Sequence, residues 1–154
     1  MRAHLDEKSV IKASTQFWEQ MLEMTLRPVP ACGGFCADSR HLLGSVDLAG
    51  VWKGRIEVRM TEKLAYRATA AMLMQPLASV AEADTLDATK EIANMIAGAI
   101  KSSLPRPCTM AVPASAFETC GYCRCEPAAD TLAVAFLHDD GGMMVRVWEQ
   151  ECAQ

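Results

Sequence analysis

Apolar residues recur along the chain at two spacings, and the changes between them mark out its elements. Leu5, Val10, Ile11, Phe17, Trp18, Met21 and Leu22 follow the inner stripe of an amphipathic helix over about residues 5 to 25, which Pro28 and Pro30 would stop. Between Leu42 and Met60 the period falls to two, with Ile56, Val58 and Met60 alternating. Gly44, Gly50 and Gly54 divide that run, so two strands with a tight connection are predicted. Thr61 is placed to cap a second helix that ends before Pro76. After the polar residues 79 to 85, a third helix is predicted over about 84 to 104, ended by Pro105 and Pro107. Strands follow at about 108 to 117 and 119 to 126. A hairpin of 131 to 138 with 143 to 149 turns at Asp139-Asp140-Gly141-Gly142. A largely antiparallel sheet in this order can bury one face under the helices, so the expected fold is α+β in two layers, one domain over residues 1 to 154.

The third helix sorts its chemistry most sharply. At 3.6 residues per turn, Ile92, Met95, Ile96, Ala99, Ile100 and Ser103 are expected to face the core, and Asp87, Glu91, Asn94, Gly98 and Lys101 to face outward. An outward face is usually covered by interchangeable Lys and Glu. Here it pairs an acid with an amide at i and i+3 and places a glycine one turn on, where no side chain would block an approaching surface. Asparagine is a poor helix former and glycine costs about 1 kcal/mol against alanine, so helix stability does not account for the choice. On spacing alone, Glu91 and Asn94 would still read as an ordinary solvated face. Asp87 complements the helix dipole near its start, and Lys90 and Lys101 read as surface charges.

Composition narrows the classes. With 51% hydrophobic residues among 154, the chain can bury a core unaided, and a net charge of −4 with both signs interspersed argues against a nucleic-acid partner. The charged first turns lack the apolar core of a signal peptide, and no apolar run approaches a membrane span, so a cytoplasmic protein without a membrane partner is expected. Seven cysteines in a reducing compartment are expected to be free thiols. Cys120-x-x-Cys123-x-Cys125 with Cys32-x-x-x-Cys36 supplies enough thiols for a structural zinc, yet no set of four has convincing spacing, and no metal site is expected. His4, His41 and His138 are scattered and read as surface or strand-end residues.

Asp87-x-x-x-Glu91-x-x-Asn94 followed by Met95-Ile96-Ala97-Gly98 and Lys101 resembles the signature helix of the CheX family of chemotaxis phosphatases, relatives of CheC. The resemblance extends across about residues 20 to 150 through the glycine-divided strand pair, Glu62, a proline after the signature helix and the closing hairpin. One segment departs from the pattern: residues 105 to 112, PRPCTMAV, are shorter and richer in proline, so that Pro113 arrives early.

The resemblance implies a CheC/CheX-like fold, a homodimer, and a phosphatase acting on the aspartyl phosphate of a phosphorylated CheY-type response regulator. It assigns Asn94 to orienting the attacking water and Glu91 to docking against the regulator's lysine, with Asp87, Gly98 and Lys101 at the partner surface. The protein would need no cofactor of its own, since the regulator's site supplies Mg²⁺. Two other readings are a non-catalytic CheX-like adaptor that binds a receiver domain, and a thiol-based metal or redox sensor.

Overall fold

The computed structural model describes residues 5 to 30, 40 to 119 and 131 to 150. Three helices cover one face of an antiparallel seven-stranded sheet. The elements are α1 (Glu7–Leu22), β1 (Arg27–Val29), β2 (Arg40–Gly50), β3 (Gly54–Thr61), α2 (Glu62–Leu73), α3 (Glu82–Lys101), β4 (Cys108–Met110), β5 (Ala114–Thr119), β6 (Thr131–His138) and β7 (Gly141–Glu149), with a single 3₁₀ turn at Leu77–Ser79. The strands run in the order β1-β6-β7-β3-β2-β4, and β5 also pairs with β2. The expected α+β layering is therefore the observed one.

Alternation along the strands decides which face is covered. Leu42, Val46 and Leu48 of β2, Ile56, Val58 and Met60 of β3, and Met143, Val145 and Val147 of β7 point to the helices and are buried. Their core partners on the helices include Val10, Phe17 and Trp18 of α1, Leu64 and Ala68 of α2, and Ile92, Ile96 and Ile100 of α3.

α3 lies on β2, and the contact is unusually close. A Cβ at Gly44 would stand 2.8 Å from both the Ala93 Cβ and the Thr89 carbonyl oxygen, so this glycine is where the helix backbone descends onto the sheet. Arg40, the first residue of β2, bonds Glu82 at the start of α3. At the other end the Lys101 charge acts on Cys108, whose strand partner is Gly50. The helix thus runs along β2 in the strand's own direction.

Several local expectations change. α1 stops at Leu22, before the prolines, because Glu23 turns left-handed with φ 54° and the Met24 N–H donates to the Trp18 carbonyl at 3.0 Å. Pro28 instead sits in β1, at the sheet edge where its missing N–H costs no ladder bond. β2 runs unbroken through Gly44. Thr61 occupies the N-cap position of α2 without capping it, and its hydroxyl accepts from the Gly142 N–H at 3.2 Å. The hairpin turn shortens to Asp139 and Asp140, with Gly141 at φ +148° opening β7. The strand expected at 108 to 117 divides into β4 and β5 around Pro113, and both pieces pair with β2. His41, expected as a surface or strand-end residue, stands second in β2 and is 1% exposed, and burial together with the Arg59 charge lowers its pKa. The strand expected at 119 to 126, apart from Thr119 at the end of β5, lies outside the described residues.

The Gly44 contact gives a direct stability test. Gly44→Ala should destabilise the fold by about 1–3 kcal/mol through overpacking, seen as a lower denaturant midpoint at unchanged slope. An unchanged midpoint would mean that α3 does not approach the sheet this closely.

Candidate functional site

Burial along α3 fixes which residues are presented. Thr85, Ala88, Thr89, Ile92, Ala93, Ile96, Ala97 and Ile100 are buried, and Asp87 and Glu91 are exposed with Asn94, Gly98 and Lys101 half-buried beside them. All five residues expected to face outward therefore share one arc. The inward face is rotated from the expected one. Met95 is 39% exposed, Ala99 and Ser103 are exposed, and Ala93 and Ala97 take the places assigned to larger residues. The reason is the narrow seam at Gly44, which admits a methyl group and no more. Met95 stands about 40° around the helix from Glu91 and so joins the outward arc.

Three contacts hold this helix. Asp84 Oδ2 accepts from the Ala81 N–H at 3.1 Å and closes the first turn. The Arg40 guanidinium donates from Nε to Glu62 Oε2 at 2.7 Å and from Nη2 to Glu82 Oε1 at 2.8 Å, tying the first turns of α2 and α3 together, and packs 4.1 Å from the centre of the Phe117 ring. Both carboxylates raise its pKa above the ordinary arginine value. On the β5 flank, Ser115 Oγ donates to the Leu86 carbonyl at 2.8 Å. Arg40 and Ser115 had no signal in the sequence, since their partners lie 22 to 42 residues away for Arg40 and 29 away for Ser115.

The carboxylates nearby divide into two groups. Glu62, Glu82 and Asp84 are engaged within the fold. Among the described residues, Asp87 and Glu91 enter no ion pair within 4 Å, although they stand one turn apart with like charge, an arrangement that costs an isolated helix a few tenths of a kcal/mol. Gly98 opens the next turn completely, since an added Cβ would meet nothing within 4 Å.

Chemically, the arc offers a carboxylate and an amide on a convex surface. An amide donates and accepts without titrating, so it can hold a water or a polar group in a fixed direction. A convex surface does not enclose a substrate, so a reacting centre would have to be brought to it by a concave partner. Among the described residues no group of three or more His, Cys, Asp or Glu side chains could hold a metal ion. Cys108 is buried with its thiol on the Trp52 carbonyl at 3.5 Å, and burial raises its pKa; the five cysteines of the alternative zinc reading lie outside the described residues.

A cleft of about 720 Å³ lies on the far face of the sheet, lined by Asp47, Arg55, Glu57 and Trp148 among others. Its charges answer one another: Arg55 Nε donates to Asp47 at 2.7 Å, and Glu57 lies among Arg55, Arg59 and Arg146 while burial raises its pKa. The carboxylate and amide of α3 are not part of it.

Comparison with known proteins settles the lineage of this arrangement. The family model "Chemotaxis phosphatase CheX" matches residues 42–136, more than half of the chain. The chain belongs to the CheX family. Its fold is similar to the chemotaxis protein CheX from Vibrio vulnificus, with a TM-score of 0.77 at 17% identity over 97% of this chain and 100% of that one. CheX from Desulfovibrio desulfuricans matches at 0.72 with 21% identity, over 93% and 97% of the two chains. A chain of the CheX–CheY–BeF₃–Mg²⁺ complex from Borrelia burgdorferi matches at 0.64 with 18% identity, over 94% and 97%. No curated protein matches the chain. The CheX model spans α3 whole, together with the Gly44 seam beneath it.

Because Gly98 faces open space within a helix, Gly98→Ala should stabilise the fold by about 0.5–1 kcal/mol. Thermal unfolding of the two proteins measures this, and a lower melting temperature for the alanine variant would show that the position is not open.

Proposed function

We propose that this chain is a phosphatase that hydrolyses the aspartyl phosphate of a CheY-type receiver domain. The observation that carries the reading is the outward Glu91–Asn94 pair on α3, a helix fixed to the sheet from its first turn to its last, in a member of the CheX family. A receiver pocket is concave and this arc is convex. Phosphoryl transfer to water needs an in-line nucleophile and charge stabilisation, and the receiver's own Mg²⁺ and lysine would supply the latter.

Asn94 then provides what is missing. Its side-chain amide holds a water in line with the phosphorus; the water oxygen bonds to phosphorus, the bond to the aspartyl oxygen breaks, and inorganic phosphate and a free carboxylate result. Glu91, one turn earlier, pairs with the receiver's lysine and fixes the register, acting as a clamp rather than as a base. Asp87 and Lys101 border the contact, and Gly98 keeps it clear. The protein requires no cofactor of its own and acts in the cytoplasm, where it pairs as a homodimer. Among the described residues β1 at one side and β4 and β5 at the other form the sheet's edges, which favours such pairing. Light scattering at micromolar concentration should give twice the chain mass, and a monomeric mass would remove the dimer.

Two variants separate the roles. Asn94→Ala should lower stimulated phosphate release by about 100-fold or more with receiver affinity largely kept. Glu91→Ala should weaken both affinity and turnover, because a charge-assisted contact of about 1.5–3 kcal/mol is lost. Affinity measured by titration and phosphate release measured in parallel decide the matter. Near wild-type turnover in Asn94→Ala would overturn the mechanism, and a wild-type chain that binds receivers without accelerating their decay would be the adaptor instead.

A further inference from the structure

Two exposed apolar side chains bracket the Glu91–Asn94 turn, one on each flank. Met95 stands about 40° from Glu91 on the side away from β5, and is 39% exposed at a position whose spacing predicts core. Asn94 and Lys101 lie on the other side, between Glu91 and Leu86, and Leu86 is the residue whose carbonyl takes the bond from Ser115 of β5. Val112 belongs to that second flank.

Its position follows from the pairing of the sheet edge. The Ala111 N–H donates to the Asp47 carbonyl at 2.8 Å, and Ala114 pairs with Ser45, so residues 112 and 113 span the gap between β4 and β5 beside β2. Thr89 and Ala93 sit over Gly44, and α3 advances in the same direction as β2. Three strand residues from Gly44 to Asp47 cover about 10 Å, which a helix spans in about seven residues. Val112 therefore stands level with the turn from Asn94 to Gly98. It is 89% exposed, and it closes the proline-containing segment 105 to 112 just before Pro113.

We propose that Met95 and Val112 are paired apolar contacts of the docking surface, gripping the rim of the receiver's phosphorylation pocket on either side of Asn94 and setting which receiver is accepted. The proposal rests on the phosphatase reading above for its occupant. A convex helix carrying only a carboxylate and an amide would meet every receiver alike, since aspartate, lysine and Mg²⁺ are what all such pockets offer. Discrimination needs contacts outside that common chemistry. An unbranched thioether adapts to the surface it meets, whereas a β-branched valine held at the edge beside Pro113 keeps its shape. The first tolerates and the second selects.

The test uses the full chain and the CheY-type receiver domains of its source organism, each charged with beryllofluoride and Mg²⁺ for affinity, or phosphorylated for turnover. Val112→Ser and Met95→Gln should each weaken binding of the accepted receiver by about tenfold, and the double variant by about 100-fold, since the sites lie on separate flanks. The loss should appear in KM rather than in kcat. Unfolding midpoints equal to wild type would show that the exposed substitutions leave the fold intact. Affinities within twofold of wild type, in a protein where Asn94→Ala still abolishes turnover, would overturn the paired contacts and leave the phosphatase reading standing. A wild-type chain that neither binds nor dephosphorylates any of these receivers would overturn both.

Discussion

β2 has no side chain at Gly44, and there the backbone of α3 comes down to the sheet, with the Ala93 methyl and the Thr89 carbonyl occupying the space a Cβ would need. The rest of the arrangement depends on this contact. Because the seam admits only small groups, the inward stripe of α3 is built from Ala88, Ala93 and Ala97 between its isoleucines, and the helix can rotate no other way without driving Met95 into the sheet. That rotation sets the outward arc. Arg40 at the first turn and Ser115 on the flank then hold it in place, so Glu91 and Asn94 are carried by a rigid element rather than by a loop.

A rigid convex helix suits chemistry that is completed by a partner. Water positioning demands a fixed direction and little else, and an amide backed by a packed helix gives it at small entropic cost. The far face of the sheet differs in kind. Its charges are satisfied by one another across neighbouring strands, as in Arg55 with Asp47 and Arg59 with Glu118, whereas Asp87 and Glu91 are left facing solvent with like charge. The far face therefore neutralises its own charges, and the α3 arc presents two carboxylates that the fold does not use.

Much of this was legible in the sequence. The outward set of Asp87, Glu91, Asn94, Gly98 and Lys101 followed from helical period alone, and the α+β layering followed from the order of elements. The inward stripe was misassigned at Met95, Ala99 and Ser103, because period gives angular separation but not the direction of the sheet. Only Gly44, 49 residues before Ala93, fixes that direction. Thr61 was a plausible cap until the N–H of Gly142 in β7, 81 residues away in sequence, claimed its hydroxyl. β1 has three residues, one of them a proline, too little for a period to register, and it exists because β6 offers an edge. Arg40 and Ser115 act through partners distant in the chain, and nothing local announces them. His41 was legible as a strand-end residue, but isolated among unrelated residues it gave no hint that the fold would bury it.

The central claim is that the outward arc of α3 enters the receiver's phosphorylation pocket. A crystal structure of this chain with a beryllofluoride- and Mg²⁺-loaded CheY-type receiver tests it most directly. The account predicts α3 seated in that pocket, with the Asn94 amide within hydrogen-bonding reach of a water in line with the beryllium and Glu91 on the receiver's lysine. A receiver docked on the far face of the sheet, with Glu91 and Asn94 still in solvent, would contradict it.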